Sequence, residues 1–365
     1  MTVLFVVPSD GFLPSGTVRV RQYLPFLDRD GIRHRIISYY NPVFDRLAAG
    51  ARTRRGLTRW LGLATAAAGQ ILSRWVARVK MLWFAGRSDV VFLQGVLPPV
   101  WHVEAMRRRN PRLVLDLDDA IFLGNPSRGN AVVSRMWRVV AGSHFIFDYA
   151  RGLTPNVTLV PSAVTAERFQ PRRAVSDDGA VHIGWLGSGS TVTYLAQLAA
   201  PLRRLAAEGH RLVVHIDGTD RDNGVVSSIP GVRVSFTPRY SDADIPGLVA
   251  RYDIGVMPLD DGPWERAKCA MKAIIYMAAG TPVVVSRVGE NLHVVEDGVN
   301  GCLAGDDAEW TSALRRLVTD PELRERLGRR GRETVEARYD ARVCYDALRR
   351  QVFARASGPL AEVVN

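Results

Sequence analysis

Cysteine is scarce in this chain. Cys269, Cys302 and Cys344 are the only three in 365 residues, and they are odd in number and widely spaced. That excludes a disulfide framework and the paired spacing of a zinc site, and it fits a reducing compartment. No stretch approaches the roughly 20 consecutive apolar residues that cross a bilayer, so the chain reads as soluble or peripheral. The opening residues MTVLFVVPSDG lack the basic segment and cleavage site of a secretion signal. A cytoplasmic location is therefore expected. Repeats at solenoid periods are also missing.

Acidic residues are missing where basic ones crowd. Between Asp45 and Asp89 there is no Asp or Glu, while Arg46, Arg52, Arg54, Arg55, Arg59, Arg74, Arg78, Lys80 and Arg87 fall in that span. Trp60, Trp75 and Trp83 are interleaved with Leu61, Leu63, Ile71 and Leu72. A basic, tryptophan-bearing helical stretch resembles an interfacial membrane helix, so peripheral association of 46–87 with an anionic inner membrane face is expected. The alternative is helices that pack on a sheet and simply expose arginines. The net charge of +11 calls for an anionic partner, but no nucleic-acid recognition motif accompanies it.

What is present is a rhythm of short apolar runs and helical segments. In the first half, strands are expected at Thr2 to Pro8, Arg35 to Tyr39, Val90 to Leu93 and Leu113 to Leu117. A helix is expected from Val18 to Asp30, ending at Gly31, and Ser134 to Ala150 reads as partly helical. Thr154 to Asp178, with Pro155, Pro161 and Pro171, is the best boundary. The second half restarts with strands at Val181 to Leu186, Arg211 to Asp217, Val232 to Phe236, Ile254 to Leu259 and Thr281 to Ser286. The pattern predicts an α/β protein with two Rossmann-like domains, each a parallel sheet covered on both faces.

Four places carry chemistry. Lys268 and Lys272 fall at the start of a helix predicted over Lys268 to Ala279 and closed by Gly280. A cation at a helix N-terminus is disfavoured by roughly 0.3–1 kcal/mol, and a bound phosphate reverses that sign. Gly184-Trp185-Leu186-Gly187-Ser188-Gly189-Ser190-Thr191 ends a strand and opens a helix near Thr193, where small residues let backbone N–H groups approach a diphosphate. It is not a clean G-x-G-x-x-G, and no acidic residue follows at the distance a dinucleotide site requires, so a dehydrogenase is disfavoured. Asp116, Asp118 and Asp119 end a strand. They fit either an acidic turn or a carboxylate pair that orients an acceptor hydroxyl. Arg19 and Arg21, after the first strand, suit either a phosphate or plain solvent. His144 and His293 look isolated.

The run from Pro258 to Asn291, with PLDDGPW, Lys268-Cys269, Lys272, Tyr276-Met277-Ala278, Gly280, PVVVS and VGEN, followed by DGVNG, resembles the donor-binding half of GT-B glycosyltransferases. It looks most like a branch of retaining glycosyltransferase family four. The resemblance extends upstream to His182–Thr191 and the linker-like Val157 to Pro171, and it covers nearly the whole chain. It implies two domains facing across a cleft: an acceptor domain (1–165), a donor domain (166–340) and a final helical segment (341–365) crossing back to the first. It also implies sugar transfer from a nucleotide sugar to a glycan, lipid-linked or small-molecule acceptor, without a metal for donor binding. The glycine-bearing loop at Gly16 and the segment Arg239-Tyr240 are implied to reach the donor. One departure stands out. Where relatives carry two glutamates, this chain has Ala267 and Ile275. Glu265, Glu290 or Asn291 would then have to contact the sugar or ribose. The same departure leaves a non-catalytic nucleotide-sugar-binding protein, or an epimerase of this fold, as alternatives.

Overall fold

The computed structural model describes residues 1–8, 14–52, 55–170 and 179–354. Arg54, the segment 171–178 of the expected boundary and the terminal 355–365 lie outside the described residues.

Runs of β-branched and aliphatic residues become central strands buried on both faces, while the strands at Arg33–Ser38, Val157–Leu159 and Val232–Thr237 stay partly exposed. Thr2–Val7 (β1), Arg33–Ser38 (β2), Val90–Gln94 (β3), Leu113–Leu117 (β4), Arg138–Ala141 (β5) and Val157–Leu159 (β6) form one parallel sheet in the order β2-β1-β3-β4-β5-β6. Val181–Leu186 (β7), Leu212–Asp217 (β8), Val232–Thr237 (β9), Ile254–Met257 (β10), Val283–Ser286 (β11) and Cys302–Ala304 (β12) form a second, in the order β12-β11-β10-β7-β8-β9. In both, the strand order reverses beside the first strand, which opens a crevice at the carboxyl ends where ligands of open α/β sheets bind.

The helices that matter below are Pro42–Arg52 (α1), Leu57–Ala85 (α2), His144–Arg151 (α3), Ala196–Ala207 (α4), Met271–Ala278 (α5) and Ala341–Leu348 (α6). The last of them packs on the first sheet. Tyr345, Leu348, Val352 and Phe353 share a buried cluster with Val3, Phe5 and Phe92, and the Tyr345 hydroxyl donates to Asp30 at 2.8 Å. The chain passes from one sheet to the other beside Val164, whose N–H donates to Tyr339 O at 3.0 Å and whose carbonyl accepts from Ala341 N at 2.8 Å.

Three expectations need correction. The helix expected from Val18 to Asp30 is broken into Pro14–Arg19, a 3-10 turn at Arg21–Tyr23, and Leu24–Arg29. Pro25 has no N–H for a continuous ladder and instead sits in the first turn of the last piece. β5 hides inside Ser134 to Ala150, and β6 inside the presumed linker. The Lys268 helix begins only at Met271, after Ala270 takes a left-handed φ of 52°. Gly280 does end it, with φ +69° as a C′ glycine requires.

Candidate active site

The two sheets present their carboxyl ends to one cavity of about 460 Å³. From the first domain it is lined by Val18, Asp118, Asp119 and Ser162. From the second it takes Gly187, Ser188, Thr191, Tyr194, Tyr240, Met257, Leu259 and the run Lys268 to Lys272. The segment before α5 reaches across to the first domain. Ser143 Oγ donates to Ala267 O at 2.9 Å, and the Cys269 thiol donates to Asp118 O at 2.9 Å. Ala267 is fully buried among first-domain side chains. A glutamate there would have to leave that cluster.

The loop after β7 is shaped by its own hydroxyls. Ser188 N–H donates to Thr191 Oγ1 at 3.2 Å, Thr191 Oγ1 to Ser188 O at 3.2 Å, and the Ser188 and Ser190 hydroxyls lie 2.8 Å apart. A 3-10 turn at Val192–Leu195 then leads into α4. Gly218, at φ +112°, lets the next loop approach within contact of Gly187. A Cβ on Gly218 would lie 2.1 Å from Gly187 O. No L-residue combines that φ with that approach.

Lys268 and Lys272 both line the cavity, but not as neighbours on one helix face. Lys268 sits on the approach loop with its ammonium 5.6 Å from the Trp264 ring centroid. Lys272 is in the first turn of α5, 4.8 Å from the centroid of fully buried Trp185. Burial, then the neighbouring charge of Lys268, lowers the Lys272 amine to about 7. The first N–H groups of α5 have no intrahelical acceptors and point with the positive end of the helix. Two lysines and a helix N-terminus thus converge on the cavity.

On the opposite wall, burial, and after it the charges of Asp119 and Asp116, push the Asp118 carboxyl up to about 7. Its Oδ1 accepts from Gln94 Nε2 at 3.1 Å. Asp119 is also raised by burial, an effect that Lys268 opposes. Asp116 faces elsewhere. It is buried and holds Arg19, whose Nε donates to Oδ2 at 3.0 Å and whose Nη1 donates to Val160 O at 2.8 Å. Asp116 therefore does not join Asp118 and Asp119 on the cavity wall.

Of the residues expected at the donor, Gly187, Ser188, Lys268 and Lys272 line the cavity, as do Asp118 and Asp119. The others do not. Arg19 is spent on Asp116, and Gly16 is buried one turn ahead of it. Ser190 and Arg239 are exposed, and it is Tyr240 next door that enters the cavity. Glu265 accepts the hydroxyl of Tyr194, a cavity residue. Glu290 and Asn291 are buried and engaged: Glu290 Oε2 accepts the backbone N–H of His144 at 2.8 Å, and Asn291 Nδ2 donates to Ser286 O at 2.9 Å. Tyr194 and Ser162 were not anticipated. Tyr194 lies three residues past the Gly/Ser turn, where a cavity-facing side chain was legible. Ser162 carried no signal.

Residues 180–320 match the family model described as glycosyl transferases group 1. The D-inositol 3-phosphate glycosyltransferase of Saccharomonospora viridis is 30% identical over 166 residues, covering 42% of this chain and 37% of that protein. The sulfoquinovosyl transferase SQD2 of Arabidopsis thaliana is 26% identical over 267 residues, covering 62% and 48%. The matched region spans less than half the length of these curated relatives. Among solved structures, Anabaena Alr3699/HepE in complex with UDP and glucose superposes with a TM-score of 0.65 at 14% identity, covering 97% of this chain and 99% of that one. WaaG, a glycosyltransferase involved in lipopolysaccharide biosynthesis, gives 0.65 at 12% identity, covering 98% and 100%. The chain has the GT-B fold.

Proposed function

We propose that the protein transfers a sugar from a nucleotide sugar to a glycan or lipid-linked acceptor. The observation that carries this reading is the convergence of Lys268, Lys272 and the N-terminus of α5 on one cavity, opposite Asp118 and Asp119. A nucleoside diphosphate is the leaving group that such a wall stabilises, because its negative charge grows as the glycosidic bond breaks. Asp118 or Asp119 accepts a hydrogen bond from the acceptor hydroxyl. Gly187 and Ser188 lie beside the phosphates, and Tyr240 offers a ring for the base. Donor binding needs no metal, since the lysines supply the countercharge. Transfer with retention follows from the resemblance to family four. Homologous folds solved with UDP and UDP-glucose support a nucleotide-sugar donor.

The test is incubation with a panel of nucleotide sugars, with and without glycan and lipid-linked acceptor extracts, in the presence of a chelator. Acceptor-dependent release of nucleoside diphosphate is expected. Binding without release would favour the non-catalytic reading that Ala267 and Ile275 raise. Conversion of donor without acceptor would indicate an epimerase.

A lipid surface fits the first domain. In α2 the buried side chains are Ala66, Gln70, Ala77, Met81 and Ala85, with Leu82 and Phe84 packed against the same core. The opposite stripe, Leu57, Leu61, Leu72, Trp75, Val79 and Trp83, is exposed, and Trp83 is 59% exposed. Trp101, which the sequence reading did not include, joins it with its ring 6.0 Å from Trp75. Arg78 and Arg87 lie over the Trp75 and Trp83 rings at 5.4 and 3.8 Å. No helix among the described residues is long and apolar enough to cross a membrane. The stripe therefore suits shallow insertion beside anionic headgroups. Co-sedimentation with vesicles containing phosphatidylglycerol is expected at low salt and should fall in Trp75→Ser/Trp83→Ser. Equal pelleting with neutral and anionic vesicles would remove the anionic headgroups from this reading, and no pelleting with either would remove the membrane.

A further inference from the structure

His144 and His293, isolated in the sequence, meet across the domain boundary. Their rings stack with centroids 3.6 Å apart and planes at 15°. Glu290 lies against them, with carboxylate oxygens 3.1 and 3.2 Å from His144 Nδ1. One donor atom from each of the three residues lies within 4.8 Å of those of the other two.

We propose that His144, Glu290 and His293 form a binding site for zinc or a similar borderline transition metal, placed so that the ion bridges the two domains. The donor set is two imidazoles and a carboxylate, which suits zinc, cobalt and nickel and does not suit magnesium or calcium. The spacing fits as well. Two ligands at about 2.0–2.1 Å from a tetrahedral ion are themselves about 3.3 Å apart, close to the observed 3.1 Å between Nδ1 and the carboxylate. Glu290 is 4% exposed, and its carboxylate meets the backbone N–H and the ring of His144. A buried carboxylate of this kind has oxygen lone pairs to spare for a cation. The frame is held from both sides. His144 opens α3, capped by Ser143, while Glu290 and His293 lie on the short turn after β11. His293 is exposed, so its ring can rotate about Cβ–Cγ from the stack into a position that directs a nitrogen at the ion. Fewer than four protein ligands leave a position for water.

The site lies outside the donor cavity, and none of its three residues lines that cavity. Its role is positional. His144 belongs to the first sheet's domain and the other two ligands to the second's, so a loaded site resists separation of the domains until a metal–ligand bond breaks.

The test is isothermal titration of the untagged full chain with zinc chloride, and with magnesium chloride as contrast. One zinc per chain is expected with a micromolar or tighter dissociation constant, and no magnesium heat. His293→Ala and His144→Ala are each expected to weaken zinc by at least about tenfold. Thermal melts of the metal-free variants check folding. His293→Ala is the cleaner of the two because that ring is exposed. Zinc bound equally well by both folded variants would place it elsewhere, for instance on the cysteines, and overturn the proposal. So would the absence of zinc binding by the parent chain.

Discussion

Replacing Lys268 with alanine is expected to lower kcat/KM for sugar transfer by about 10²–10³-fold, the usual effect of removing one donor that stabilises a developing anion. Lys268 sits on a loop that crosses to the other domain, and its half-buried ammonium faces the cavity beside Asp119 and Lys272. On the proposed function, its loss takes away a cation that a leaving diphosphate would meet. It also removes a repulsive neighbour of Lys272, so the Lys272 amine should hold its proton to higher pH in the variant. Steady-state rates against donor concentration measure both effects. Near-normal turnover in Lys268→Ala would exclude Lys268 from leaving-group stabilisation.

Asp118→Asn is expected to separate activity from stability. With a carboxyl raised to about 7, Asp118 gives up its proton in the folded protein well above the pH at which it does so unfolded. Folding stability supplied by the neutral form is therefore present at acid pH and declines as pH rises toward and through 7. Asparagine keeps the shape and the contact with Gln94 and carries no charge. The variant should melt higher than the parent at pH 8 and about the same at pH 4. Transfer should drop by about 10²-fold or more, because the amide holds an acceptor hydroxyl poorly. In the parent, kcat/KM should rise with pH toward about 7 as Asp118 ionises and fall above it as Lys272 loses its proton, and Asp118→Asn should lose the acid limb. A variant that is both less stable at pH 8 and fully active would mean that Asp118 serves only the turn.

Strands built around three or more consecutive apolar residues, such as β1 (TVLFVV), β3 (VVFLQ) and β4 (LVLDL), were legible in sequence because burial on both faces leaves an apolar run. β5, β6 and β12, at three or four residues each, were not. Their pairing is decided by neighbours rather than by period. The cavity's aspartates and Gly187-Ser188 were legible because they follow directly on a strand, and its lysines because they fall near a helix start. Arg19 and Glu290 also follow strands, yet their partners, Asp116 and His144, are set by packing between distant segments, while Asn291 turns back onto the nearby Ser286 carbonyl. Sequence shows a charge at such a position but not whether it is already paired. The His144–His293 stack is invisible for the same reason, since 149 residues separate the two rings.

The most direct measurement is thermal melting of the full chain with a panel of nucleoside diphosphates, at pH 6.5 and 8.5, alongside Lys268→Ala. A ligand at about 100 times its dissociation constant adds about 2.7 kcal/mol to stability. One nucleotide is expected to raise the melting temperature of the parent, and to do so less in the variant. Because a bound diphosphate favours the charged Lys272, whose amine titrates at about 7 when free, binding takes up a proton above that pH. The shift should therefore be larger at 6.5 than at 8.5. A shift that is the same in Lys268→Ala and at both pH values, or no shift with any nucleotide, would contradict a diphosphate site at Lys268 and Lys272.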